Sequence, residues 1–382
     1  MDFDIASPIR SALERAVDDG DLGYAAPTDL PAAFAAFAEQ YLDWNVDEAH
    51  VFAVPDVMSG VTQALHLFTQ SGDGIVINPP VYPPFFEVIR YEGRHVVEVP
   101  LSPDETVGWT IDLDELERAF ANGARAYLLC SPHNPVGRVW SAAELGAIAQ
   151  RAQRYDVAVI ADEIHAPLTM PGVRFVPYLQ VASDSSRAVA LASASKGWNI
   201  PGLKCAVLVA GTAVSERVRA QLAAIPTEIE SRIGQLGVIA TVAAFRDGGP
   251  WLEDLRTYLD GNRMLLEGLL GGELRAIRYR PPEATYLAWL DCRALELGDA
   301  PWEYFLEHGR VALYRGVAFG RQGIGYVRVN MGTSRAILTD IVDRMERALH
   351  YSSSGSPDES GSSKKSAAGR AAGIFSKLRG RC

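Results

Sequence analysis

Long hydrophobic runs are missing from this 382-residue chain, and no apolar stretch approaches the ~18 residues that span a bilayer. The opening, MDFDIASPIR, has neither the basic region nor the apolar stretch of a secretory leader, so a cytoplasmic protein is expected. Cysteine is scarce. Cys130, Cys205, Cys292 and Cys382 form no CxxC pair and no metal-ligand spacing, which argues for reduced thiols and against a zinc site. Positive charge is also in deficit: 36 Lys and Arg face 47 Asp and Glu, for a formal net charge of -11. Nucleic acid and anionic membranes would be repelled, and neither is an expected partner. What the chain does have is 48% hydrophobic and 22% charged residues, enough to bury a large core with a smaller domain beside it.

From about residue 45 to 260, short apolar runs alternate with helical patterns. GIVIN (74–78), HVVEVPL (95–101), RAYLLC (125–130), VAVIADE (157–163), RAVALAS (187–193) and CAVLVA (205–210) read as strands. Between them VTQALHLFTQ, DLDELERAFANG and AAELGAIAQRAQRYD carry apolar residues at three- and four-residue spacing. Such alternation predicts an α/β fold, a large mainly parallel sheet with helices on both faces. After about 260 the texture becomes α+β, with EATYLAWLD and YVRVNMG as strands and AILTDIVDRMERALH as a closing helix. The expected organisation is a large domain over 30–260 and a small one from 1–29 and 261–350. Residues 351–382 form a Ser-, Gly- and Ala-rich tail of low hydrophobicity, expected to be disordered; from 352 on it holds six Lys and Arg against two Asp and Glu.

In LASASKGWNIPGLKCA, Lys196 sits at the carboxyl end of a buried strand, where open α/β sheets bind ligands. A lysine there suits a Schiff base with an aldehyde, and the aldehyde cofactor that needs one is pyridoxal 5'-phosphate. The rest of such a site can be sought along the chain. Ser59, Gly60 and Val61 open a helix, where backbone N–H groups hold phosphate or simply begin the helix. Ser193 and Ser195 flank the lysine, and Lys204 offers a counter-charge. Asp162 ends an apolar strand, where a carboxylate either caps the next turn or pairs with a pyridinium. Tyr82, in NPPVYPPFF, is a candidate lid for the ring, or local packing. Asn134, in CSPHNPVGRVW, is a turn residue or a donor to O3'. Arg328, in GYVRVNMG, is an edge charge or a two-bond clamp for a substrate carboxylate.

SPHNPVGRVW, ADEIHAPL, SASKGWNIPGLKCA, EATYLAWLD and YVRVNMGTS together resemble the fold-type I pyridoxal-phosphate enzymes of the class I/II aminotransferase superfamily. Within it they are most similar to the cystathionine β-lyase group, the MalY/PatB-type C–S lyases. The resemblance covers residues 1 to about 350 and implies a three-layer PLP-dependent transferase-like fold. It implies Lys196 as the Schiff-base lysine, Asp162 on the pyridine nitrogen, Asn134 near O3', Tyr82 on the ring and Arg328 on the substrate carboxylate. It also implies a homodimer, with Tyr24 reaching the neighbouring subunit's cofactor. His165, three residues after the aspartate, matches the lyases where aminotransferases commonly carry tyrosine. Lys204 stands where many relatives have arginine, and MDFDIASPIR resembles the middle of the group's N-terminal motif.

The activity this implies is β-elimination from cystathionine or related S-substituted L-cysteines, giving pyruvate, ammonia and a thiol. Transamination of an amino acid is the alternative, because both reactions begin with the same carbanion. A pyridoxal-phosphate-binding regulatory protein is a third reading.

Overall fold

The computed structural model describes residues 1–183, 186–225, 232–272 and 274–353. Most of the tail expected at 351–382 lies outside the described residues; the closing helix, Arg335–Ser353, runs to their edge.

Seven strands form the main sheet: β1 (Val51–Val54), β2 (Gly74–Ile77), β3 (His95–Glu98), β6 (Ala126–Cys130), β7 (Ala158–Asp162), β8 (Ala188–Ala192) and β9 (Ala206–Ala210). Between β3 and β6 the chain makes a separate hairpin, β4 (Leu101–Asp104) with β5 (Gly108–Ile111). Across the main sheet the order is β1-β9-β8-β7-β6-β2-β3. The strands from β3 to β8 pair in parallel, and β9 runs antiparallel to both of its neighbours. The sequence divides its two faces by strict alternation. Leu128, Ile160, Val189 and Leu191 meet helices Val57–Phe68 and Pro83–Tyr91 on one side. Tyr127, Leu129, Val159 and Ala161 meet helices Leu30–Leu42, Ala142–Arg154 and Gln235–Asp247 on the other. With both faces covered, the central strands read as unbroken apolar runs, which is why they stood out.

Two expectations shift for local reasons. HVVEVPL does not form one strand: β3 stops at Glu98, and Pro100, with no N–H to give a ladder, precedes the hairpin. EATYLAWLD becomes extended only at Leu287, because Thr285 is held at φ +77° with its N–H on Leu168 O, 3.0 Å away.

The smaller sheet is antiparallel, with strands β10 (Arg278–Tyr279), β11 (Leu287–Asp291), β12 (Tyr314–Arg315) and β13 (Tyr326–Asn330) in the order β10-β11-β13-β12. Its core face presents Ala288, Leu290, Val327 and Val329 to helices Pro301–Gly309 and Arg335–Ser353. Trp289, Arg328 and Tyr314 stand side by side in register on the opposite face. One helix, Gly249–Leu270, belongs to both cores: Leu252, Leu255 and Leu259 pack in the larger, Leu266 and Leu270 in the smaller. The opening segment also touches both units. Asp2 N–H donates to Gly332 O at 2.8 Å, whereas Ala6 and Ile9 enter the larger core.

Candidate active site

The carboxyl ends of β6, β7 and β8 are level, Cys130 beside Asp162 and Asp162 beside Leu191, so the loops that leave them converge. Asp162 is the last residue of β7 and 4% exposed. Burial pushes its carboxyl up to about 6, opposed by the Ile164 N–H it accepts at 3.1 Å and by the positive field of Lys196. A carboxyl buried to that degree calls for a cation.

Lys196 sits in the single turn Ala194–Gly197, begun by Ser193. Ser193 Oγ accepts from Ser195 N–H at 3.1 Å and donates to Cys205 O at 2.8 Å, so this hydroxyl fixes the turn that carries the lysine. His165 lies past Asp162 with the Tyr286 ring edge-on at 6.1 Å. Burial, then the charges of Lys196 and Arg328, hold its imidazole down to about 3, and buried Nδ1 has no partner among the described residues. From the small sheet, Arg328 Nη1 donates to Asn134 Oδ1 at 3.0 Å. Its guanidinium lies over Tyr314 and Phe319, 4.7 and 4.9 Å from the ring centroids, which restrains its plane. Asp162, His165, Lys196, Asn134 and Arg328 are therefore brought to one place.

Tyr82 precedes helix Pro83–Tyr91 in a loop anchored from several sides. Val81 N–H donates to Phe319 O at 2.9 Å and Leu101 N–H to Pro79 O at 2.7 Å. His133 Nε2 donates to Pro80 O at 2.9 Å, and burial first keeps this imidazole down to about 4, hence neutral. His133 was not singled out in the sequence, although it adjoins Asn134.

The helix bearing Ser59, Gly60 and Val61 is capped by Asp56, which the sequence reading overlooked. Asp56 Oδ1 accepts from Ser59 N at 2.8 Å and Ser59 Oγ at 2.9 Å, and Gly60 N–H donates to Asp56 O. Lys204 Nζ pairs with Asp56 Oδ2 at 2.9 Å, so its charge is shared with the helix cap. The signal was present as Asp-x-x-Ser ahead of an apolar helix. Val61 is wholly buried, and Gly60 is the position where a Cβ would run into Leu191 Cδ2. Tyr24, at 88% exposure, lies outside this cluster.

The family described as aminotransferase class I and II matches residues 3–345. A Mycobacterium tuberculosis protein provisionally named cystathionine beta-lyase is 45% identical over 375 residues, covering 91% of this chain and 90% of that one. Cystathionine beta-lyase PatB of Bacillus subtilis is 33% identical over 355 residues, again 91% of this chain and 90% of PatB. Among solved structures, cystalysin from Treponema denticola, which contains pyridoxal 5'-phosphate, superposes with a TM-score of 0.85 at 28% identity, covering 92% of this chain and 89% of cystalysin.

Proposed function

The chain belongs to the class I and II aminotransferase family, and from that premise we propose that it is a pyridoxal-phosphate-dependent carbon–sulfur lyase. Its reaction is β-elimination from cystathionine or related S-substituted L-cysteines, releasing pyruvate, ammonia and a thiol. The observation that carries this reading is Asp162, a buried carboxyl with raised pKa at a strand end, facing the positive field of Lys196 and built to receive a cation. A pyridinium nitrogen fits that demand, and the unpartnered His165 Nδ1 leaves polar capacity nearby.

When bound, the cofactor supplies an aldehyde for the substrate amine and a protonated ring that stabilises negative charge at Cα. In this reading Lys196 anchors the cofactor, then as a free amine removes the Cα proton. Asp162 retains the proton on the ring nitrogen, Asn134 donates to O3' and Tyr82 covers the ring. Ser59, Gly60, Val61, Ser193, Ser195 and Lys204 hold the phosphate end, with Lys204 exchanging part of its contact with Asp56 for the phosphate. Arg328 takes the substrate carboxylate as a planar clamp. His165, neutral across the working range because of its burial, contributes no competing positive charge. Expulsion of a thiolate from Cβ then completes elimination.

The same proposal includes a cytoplasmic homodimer, in which exposed Tyr24 reaches the neighbouring subunit's cofactor, and a division into units at 30–260 and at 1–29 with 261–350. The switch of helix Gly249–Leu270 from one core to the other between Leu259 and Leu266 supports the boundary near 260, whereas Ala6 and Ile9 pack in the larger core and weigh against placing 1–29 with the small unit.

With cystathionine and no added 2-oxo acid, pyruvate should form continuously, because elimination returns the cofactor unchanged in each cycle. Production that stops after one equivalent and restarts with 2-oxoglutarate would identify an aminotransferase. Absence of any turnover would favour the regulatory reading.

A further inference from the structure

Adjoining the segment that follows His165 lies a cavity of about 270 Å³ between helices Leu30–Leu42 and Gly249–Leu270 and the 166–175 segment. Its walls include Phe37, Tyr41, Pro167, Phe175, Leu252 and Arg256. Phe37 and Tyr41 stack at 5.1 Å with an interplanar angle of 22°, giving one flat apolar side that ends in a phenol hydroxyl. Arg256 is half-buried and donates Nε to Thr169 O at 2.6 Å. Its other guanidinium nitrogens have no acceptor among the described residues, and no described carboxylate comes within ion-pair distance. Glu253, one turn earlier, acts on it only through space. Burial lowers the pKa of this guanidinium, against the opposing field of Glu253, as expected for a cation lacking a paired counter-ion. At the rim the opposite charges cancel, Arg174 pairing with Asp43 at 2.8 Å.

A half-buried cation with unspent donors, lining a cavity walled by aromatic and aliphatic side chains, defines an amphipathic anion as the complementary ligand. We propose that this cavity is a second binding site, for a small carboxylate with an apolar body. The carboxylate meets the Arg256 guanidinium and the Tyr41 hydroxyl, and the body lies on Phe37, Phe175 and Pro167. The site adjoins the chemistry without sharing it. Pro167 follows His165 by two residues and packs on Gly197, where a Cβ would lie 3.0 Å from Pro167 Cβ, and Gly197 follows Lys196. Occupancy braces the turn between His165 and Thr169 against the turn that carries the lysine.

Titration calorimetry of the holoenzyme with benzoate, and with benzamide as its uncharged counterpart, tests this. Benzoate should bind, with benzamide weaker by about tenfold or more, since charged hydrogen bonds supply the difference. Arg256→Met should abolish binding. Val173→Trp, which fills the cavity from a loop and leaves Arg256 in place, should abolish it too; unchanged visible absorbance of the cofactor certifies that both variants are folded. Arg328→Lys should leave benzoate affinity unaltered. Absence of binding to the wild type up to about 10 mM, or its persistence in either cavity variant, overturns the proposal. So does its loss in Arg328→Lys, which would assign the carboxylate to the substrate arginine.

Discussion

Glu163 is 1% exposed, adjoins Asp162, and among the described residues has no cationic partner; its Oε1 accepts only the Tyr178 N–H at 2.7 Å. Burial above all, and then the Asp162 charge, lift its carboxyl from 4.5 to about 8, against the pull of the Tyr178 N–H. The folded chain therefore keeps a proton that the unfolded chain has released. Stability falls as pH rises from 4.5 toward about 8 and levels off above that. Because the side chain is buried, solvent screening takes little away. Linkage gives a loss on the order of 3 kcal/mol between about pH 5.5 and about pH 8.5 from this group alone. Glu163→Gln has no proton to lose, and its amide oxygen still accepts from Tyr178. Urea unfolding of both proteins across this range should show the variant gaining on the wild type by about that amount as pH rises. Taking the difference cancels every titration the two share. Relief of like-charge repulsion on Asp162 acts in the same direction. A difference that stays flat from acid to alkaline pH would refute the reasoning, since Glu163 would then titrate alike in both states.

Asp162→Asn should retain the fold but lose turnover by about two orders of magnitude or more, because an amide cannot hold the ring-nitrogen proton; near-normal turnover would reduce Asp162 to a turn-capping residue. Arg328→Lys should raise KM for every amino-acid substrate by roughly tenfold or more, as a point charge replaces a planar clamp worth ~1.5–3 kcal/mol per charged hydrogen bond. An unchanged KM would move the carboxylate site elsewhere.

The parts of the molecule that were legible in the sequence are those whose cause is local. Strands β2, β6, β7, β8 and β9 are buried along their whole length, so each declares itself as an apolar run, and Asp162 at the end of β7, with Asn134 and Lys196 a few residues past β6 and β8, falls at the carboxyl ends of the strands as a consequence. Edge strand β1 has only its first and last residues buried, and it gave no comparable signal. What the sequence hid depends on distant partners. Lys204 meets Asp56 across 148 residues, Arg138 reaches Glu283 across 145, and His133 secures Pro80 across 53. No spacing rule announces such pairings, because burial and topology choose them. The left-handed conformation of Thr285 is equally invisible: a β-branched residue avoids that region unless its surroundings impose it.

Helix Gly249–Leu270, anchored in one core up to Leu259 and in the other from Leu266, sets an angular phase between the two units. Each α-helical residue turns the chain by about 100° and advances it about 1.5 Å. A single residue inserted between those anchors would therefore swing the small sheet through more than a quarter turn, carrying Arg328 off Asn134 although neither had been altered. Four inserted residues would restore the phase to within about 40° and leave an axial offset of about 6 Å. The length of that interval is thus as much a part of the site as the side chains that meet in it, and a change of length there is felt where the arginine and the amide touch.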